Sequence, residues 1–200
     1  MSHLVKSLLF LIALTSICIA EENIILRLEH YPNGVTKESI SVYVDKNGND
    51  VRQGKYTGWY KNGRKSFEQD YVDGNLTGKS IEWYESGKKR AETDFINWKM
   101  NGKGIYWFDN GKKSWEHGYK DDKLNGISTL WFSNGKKRAE AEYKDGKLNG
   151  KFTTWHRYNN DQKSEESFWI DGVENGWHTT WFENGKIRSE EEYKDGKVVH

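Results

Sequence analysis

The chain has 200 residues, with 31 lysines and arginines against 30 aspartates and glutamates, and only 34% hydrophobic residues at a mean hydropathy of −0.98. So even a charge balance argues against bulk attraction to nucleic acid or to an anionic membrane, and so polar a composition argues against a thick globular core. Aromatic residues at 14% argue equally against a disordered chain, so the fold is expected to form around rings.

Residues 1–20, MSHLVKSLLFLIALTSICIA, carry one early charge at Lys6, run apolar from Leu8 to Leu14 and end on the small Ala20 before EEN. That order is the pattern of a secretory signal, and the apolar run is too short to span a bilayer. The protein is therefore expected to be exported to the periplasm, cell envelope or exterior, with retention of the segment as an anchor the alternative. Lipid attachment at Cys18 is disfavoured by the bulky Ile17 before it. Cleavage removes Lys6 and no acid, leaving 30 bases and 30 acids, and it removes the only cysteine, so no disulfide is available.

Residues 21–53 contain two strand-like runs and two turns, IILRLEHYPNG and SVYVDKNG, and are expected to form an irregular capping hairpin. From residue 54 to 200 the chain repeats. Gly54, Gly78, Gly102, Gly126 and Gly150 are spaced by 24, and Gly176 follows after 26. Trp59, Trp83, Trp107, Trp131, Trp155 and Trp181 keep the same step, with the two-residue slip inside WHRYNNDQKSEESFW. A fixed period of this length signals an array, here of six units.

Each unit carries two turn signals. Asn-Gly at Asn62, Asn110, Asn134 and Asn184, with Ser-Gly at Ser86, predicts type I′ hairpins in which both central residues take positive φ. Asp-Gly at Asp73, Asp145, Asp171 and Asp195 closes the units, degraded to Asn-Trp at Asn97 and Asp-Asp at Asp121. The predicted fold is all-β: an elongated single-layer antiparallel meander of about seven hairpins.

Alternation assigns two faces. One, with Tyr56, Tyr60, Phe67, Tyr71, Leu76, Tyr84, Ala91, Phe95 and Met100, is mainly apolar and expected to be buried. The other carries the tryptophans with Lys55, Lys79 and the recurring Glu68, Glu92, Glu116 and Glu140. Counting from the turns places Trp59 opposite Ser66 and Glu68 opposite Lys79, with Glu92–Lys103 and Glu140–Lys151 equivalent, and sets Arg90 against Trp83 and Arg138 against Trp131 for cation–π stacking.

The phrase NGKGIYWFDNGKKSWEHGYKDDKLNG, residues 101–126, resembles a MORN repeat, and its W-aromatic-x-N-G-K-K…E…Y-x-D-G pattern is similar to the bacterial MORN-repeat variant over residues 54–197. The resemblance implies an elongated sheet of successive hairpins. Bacterial members are labelled as the antitoxin component of a toxin–antitoxin pair and other members as membrane-associated scaffolds, and a long repeat sheet, with its extended surface and open edges, is itself expected to act as a non-catalytic protein-binding scaffold. GWYKNG, residues 58–63, resembles in addition the aromatic hairpins of cell-wall choline-binding repeats, which are less charged.

No enzyme is expected. His30, His117, His156, His178 and His200 do not recur at the repeat step, the glutamates form a row rather than an asymmetric pair, and no phosphate loop is present. No cofactor or metal is expected, and the pattern sets no oligomeric state. The candidate binding residues are the tryptophan row and a basic stripe beside the Asn-Gly and Ser-Gly turns. That stripe comprises Lys61, Arg64 and Lys65, then Lys88, Lys89 and Arg90, then Lys112 and Lys113, then Lys136, Lys137 and Arg138, then Lys186 and Arg188. Its expected partner is an acidic protein surface or an anionic phospholipid. Because these bases flank turns, reversing Lys88, Lys89, Lys136 and Lys137 is expected to leave the fold intact.

Overall fold

The computed structural model describes residues 23–158 and 162–199. Every regular element in them is a strand: β1 (Ile25–His30), β2 (Thr36–Val44), β3 (Asp50–Trp59), β4 (Lys65–Val72), β5 (Asn75–Trp83), β6 (Lys89–Ile96), β7 (Lys99–Trp107) and β8 (Lys113–Lys120) lead the array. They are followed by β9 (Lys123–Leu124), β10 (Gly126–Trp131), β11 (Lys137–Lys144), β12 (Lys147–Trp155), β13 (Lys163–Ile170), β14 (Val173–Glu174), β15 (Gly176–Trp181), β16 (Ile187–Lys194) and β17 (Lys197–Val198). All 17 belong to one antiparallel sheet in which strands pair in chain order, with β9–β10 and β14–β15 each acting as one broken strand.

Among the described residues, appreciable contacts join only strands that are neighbours in the sheet, and no second layer formed by them covers either face. The core is correspondingly thin. Its buried apolar side chains are Val42, Tyr71, Leu76, Ala91 and Ala141, outnumbered by small buried hydroxyls such as Thr57, Ser80, Thr93, Ser128, Thr153 and Ser167. The face expected to be buried is therefore only half covered: Tyr56, Tyr60, Phe67, Tyr84, Phe95 and Met100 all retain access to solvent.

The turns correct the sequence reading. At Asn62-Gly63 the Tyr60 N–H donates to the Arg64 carbonyl at 2.8 Å and the Gly63 N–H to the Tyr60 carbonyl at 2.9 Å, and only Gly63 has positive φ, at 82°. This is a type I turn closed by a glycine bulge, not a type I′ turn. The Asn62 side chain favours it by accepting the Arg64 N–H at 3.0 Å, and Asn110, Asn134 and Asn184 do the same. The extra residue slips the register, so Trp59 pairs with Lys65 rather than Ser66. Type I′ geometry sits on the other margin, with φ of 47° at Asp73 and 78° at Gly74. It persists even where glycine is lost, at Asn97-Trp98 and Asp121-Asp122.

The glycines that mark the 24-residue step are second bulges. Gly54, Gly78, Gly102, Gly126, Gly150 and Gly176 all have positive φ, and the register slips beside them. Glu68 consequently pairs with Ile81, Glu92 with Ile105 and Glu140 with Thr153, not with the lysines that counting from the turns had indicated.

Within residues 21–53, β1 and β2 join through Tyr31–Val35 by the same two backbone bonds as the Asn-Gly turns. The Tyr31 hydroxyl donates to the Trp59 carbonyl at 2.9 Å, as Tyr60 does to Trp83 and Tyr84 to Trp107 at 2.6 Å. This hairpin follows the bonding rules of the units after it.

Candidate interaction surfaces

On the tryptophan face, residues from successive strands form rows across the sheet. Thr57, Glu68, Ile81, Glu92, Ile105, Glu116, Thr129, Glu140, Thr153, Glu166, Thr179 and Glu190 follow one another strand by strand. Beside them runs a ladder of tryptophan and lysine. Lys65 Nζ lies 5.7 Å from the centre of the Trp83 ring, Lys89 5.9 Å from Trp107, Lys113 5.7 Å from Trp131, Lys137 5.6 Å from Trp155 and Lys163 5.9 Å from Trp181. Each lysine thus covers the ring of the next unit, which corrects the expected pairing of Arg90 with Trp83 and of Arg138 with Trp131.

The same lysines hold the glutamate row. Lys65 bonds Glu68 at 2.5 Å, Lys89 bonds Glu92 at 2.6 Å, Lys113 bonds Glu116 at 2.5 Å and Lys137 bonds Glu140 at 2.5 Å. A second lysine reaches Glu68 from Lys55 at 2.7 Å, Glu92 from Lys79 at 3.0 Å and Glu116 from Lys103 at 3.4 Å. Hydrogen bonds from Lys55 and Lys65 hold the Glu68 carboxyl below its ordinary range, and those from Lys89 and Lys79 do so for Glu92. At Glu166 burial opposes the shift, and bonds from Lys151 and Lys163 outweigh it. Each half-exposed ion pair contributes about 0.2–1 kcal/mol and each cation–π contact about 0.5–1 kcal/mol, so repetition makes the ladder matter.

The structure divides the basic stripe into four groups. Lys65, Lys89, Lys113 and Lys137 are engaged on the tryptophan face, so reversing Lys89 or Lys137 strikes the ladder. Arg64 donates to the Glu85 and Ser86 carbonyls at 3.1 and 2.7 Å, Lys88 to the Asp109 carbonyl at 2.8 Å and Lys112 to the Asn134 carbonyl at 2.6 Å, stitching each turn to the next. Glu85 and Asp109 interrupt the positive charge on this margin, and Lys136 donates its backbone N–H to Asn134. Arg90, Arg138 and Arg188 are bulge residues associated with the tyrosine face: Arg90 pairs with Glu82 at 2.8 Å, Arg138 borders a hollow, and Arg188 lies 5.8 Å over Phe182. Lys61 and Lys186 have no side-chain partner among the described residues.

The tyrosine face is built differently. Phe67 lies on the backbone at Gly58, where an added Cβ would come within 2.2 Å of the ring, and meets Tyr56 edge-on at 4.8 Å. Arg52 stacks 5.1 Å from both Tyr56 and Tyr71. Burial and a bond to Glu38 push the Tyr56 hydroxyl up to about 12. Further along, Tyr106, Trp115, His117 and Tyr119 pack edge to face, and burial lowers the His117 imidazole, whose Nδ1 lies 2.7 Å from Ser128 Oγ.

Between these rings lie open hollows at equivalent places in the repeat. The first, of about 290 Å³, is bordered by Tyr60, Phe67, Glu82, Trp83 and Arg90; the second, of about 390 Å³, by Tyr84, Arg90, Tyr106, Trp107 and Trp115. The third, also about 390 Å³, opens where the small Ala139 and Ala141 lie among Leu130, Phe132, Arg138, Phe152 and Trp155. Sequence reasoning expected Tyr60, Phe67 and Tyr84 of these rings to be buried and set the tryptophans on the opposite face. The available signal was the low apolar content, which leaves no material for a covering layer. Among the described residues, no cluster of three or more histidine, cysteine or acidic side chains is placed to hold a metal.

Residues 76–97, 124–145 and 174–195 match the model of the MORN repeat variant. Each match runs from one type I′ turn to the next, taking in one Asn-Gly or Ser-Gly hairpin with its tryptophan. The antitoxin role implied by the earlier resemblance draws no support from these matches. No curated protein matches the chain. Over three of its hairpins, spaced two units apart, the chain is thus similar to the MORN repeat variant.

Proposed function

We propose that the protein is a non-catalytic scaffold, working outside the cytoplasm, that binds an extended segment of a partner protein along its tyrosine face. The observation that carries this reading is the set of aromatic hollows on the uncovered face, with Arg90 and Arg138 at their rims. One unit is two strands wide, about 9.6 Å, which is close to the rise of three residues of extended or polyproline-type chain. A segment crossing the strands would therefore present an apolar or aromatic side chain to successive hollows every third residue, with acidic residues between them for the arginines.

Two other readings have less support. Docking on anionic phospholipid would draw on a stripe whose lysines are largely held by glutamates and by turn carbonyls. Glycan or choline binding needs open tryptophan faces, and five of the six repeat tryptophans lie under lysines.

The test places a photo-cross-linking amino acid at Ala139, in the third hollow, and separately at Lys103, exposed on the tryptophan face, in the exporting cell. The reading expects one discrete protein adduct from position 139 and none from 103. Adducts from 103 alone, or from neither position, would sink it.

A further inference from the structure

We propose that the protein associates head to tail with further copies of itself, the outer edge of β16 pairing with the outer edge of β1 in the next copy so that the sheet continues. At each internal junction, the strand after one Asn-Gly or Ser-Gly turn pairs with the strand before the next. Glu68 meets Ile81, Glu92 meets Ile105, Glu140 meets Thr153 and Glu166 meets Thr179. β16 is a strand of the first kind, and among the described residues nothing pairs with its outer edge before the short β17. β1 is a strand of the second kind, and among the described residues it pairs only with β2. The two ends are thus the two halves of the junction used throughout the array.

Their chemistry is complementary in that register. Superposing the turn at Tyr31 on the one at Tyr84 puts Leu28 in the place of Ile81, so Glu190 would face Leu28 and Glu191 would face Arg27 of the next copy. Internal turns bind the following turn through the asparagine and the base after glycine, as Asn62 and Arg64 bind the Glu85 carbonyl at 3.1 Å. In the last turn Asn184 Nδ2 and Lys186 Nζ have no such acceptor among the described residues, and in the first turn the Pro32 and Asn33 carbonyls stand at the acceptor positions.

Each end also exposes apolar side chains where an array finishing in water is expected to be polar. Phe182 is 50% and Ile187 54% exposed, while Tyr60, Tyr84, Phe108 and Phe132, at the position of Phe182 in earlier units, are half-buried against the next unit. Ile187 replaces the ladder lysine, and at the far end it would reach His30 of the next copy. Leu26 at 58% and Leu28 at 55% complete the apolar patch there. A tail-to-tail dimer would instead set Glu190, Glu191 and Glu192 against themselves. Because the contact is heterologous it does not close on two copies.

The test is sedimentation equilibrium across a wide concentration range on the parent, on Arg27→Glu, on Glu191→Arg and on an equal mixture of the two variants. The Arg27 pair with Asp50 is half-exposed, so its loss is expected to leave the fold intact, which circular dichroism checks. The parent's average mass is expected to climb past that of a dimer. Either variant alone should associate at least about tenfold more weakly through like-charge repulsion, and the mixture should restore the parent's behaviour. A parent that stays monomeric, a plateau at dimer unmoved by Arg27→Glu, or a mixture no better than its components would overturn the proposal.

Discussion

Replacing Lys89 with alanine tests whether the tryptophan–lysine ladder holds the array together. Lys89 bonds Glu92 at 2.6 Å and covers the Trp107 ring at 5.9 Å, with its side chain 45% exposed. At that exposure the ion pair accounts for about 0.2–1 kcal/mol and the ring contact for about 0.5–1 kcal/mol, so the substitution is expected to destabilise by roughly 1–2 kcal/mol. Lys61→Ala provides the comparison, because the Lys61 side chain lies on the same margin without a partner among the described residues and the variant should stay within about 0.5 kcal/mol of the parent. Urea unfolding followed by circular dichroism reads both. The ring's share is isolated by a double-mutant cycle with Trp107→Ala, for which a coupling of about 0.5–1 kcal/mol is expected. If Lys89→Ala is as mild as Lys61→Ala, or if the two ladder substitutions are simply additive, the lysines are surface charges and the ladder has no structural role.

The remaining predictions use the same array. Gly104→Ala should cost about 1–3 kcal/mol in urea unfolding, because its Cβ would come within 2.8 Å of the Tyr119 ring. Gly172→Ala has room around it but sits at φ +84°, so it should cost about 1–2 kcal/mol through backbone strain alone. Melting temperature should fall with pH in two stages. His117, whose imidazole is lowered by burial, contributes stability that is full above 6.5 and lost as pH falls through its lower folded value. Glu68, Glu92 and Glu116, lowered by their lysines, contribute stability that is full above 4.5 and lost below it; His117→Gln should remove only the first stage.

The meander was legible because glycine and tryptophan each recur at one step, and the step survives the insertion near Tyr158. The turn types were not. Asn62-Gly63 and Asp73-Gly74 look equivalent as dipeptides, yet one closes a bulged loop and the other a two-residue hairpin. The difference lies in a third loop residue, which puts Trp59 opposite Lys65, and in a compensating bulge at Ser66 that returns Gly58 to Phe67; counting outward from the dipeptide registers neither. The ring contacts were missed because Lys65 reaches Trp83 across a unit boundary, whereas the sequence reading paired residues within a hairpin. The tyrosine face was read as buried because period-two alternation separates faces without showing whether a second layer exists to cover one.

A single uncovered layer is the claim on which the ladder, the hollows and the free edges all depend, and small-angle X-ray scattering of the dilute chain lacking residues 1–20 tests it most directly. A stack of strands about 4.8 Å apart, each about 30 Å long, in a layer about 10 Å thick, predicts a radius of gyration of about 20 Å. A value near 16 Å, that of a compact domain of this length, would mean that the sheet folds back on itself and would contradict the account.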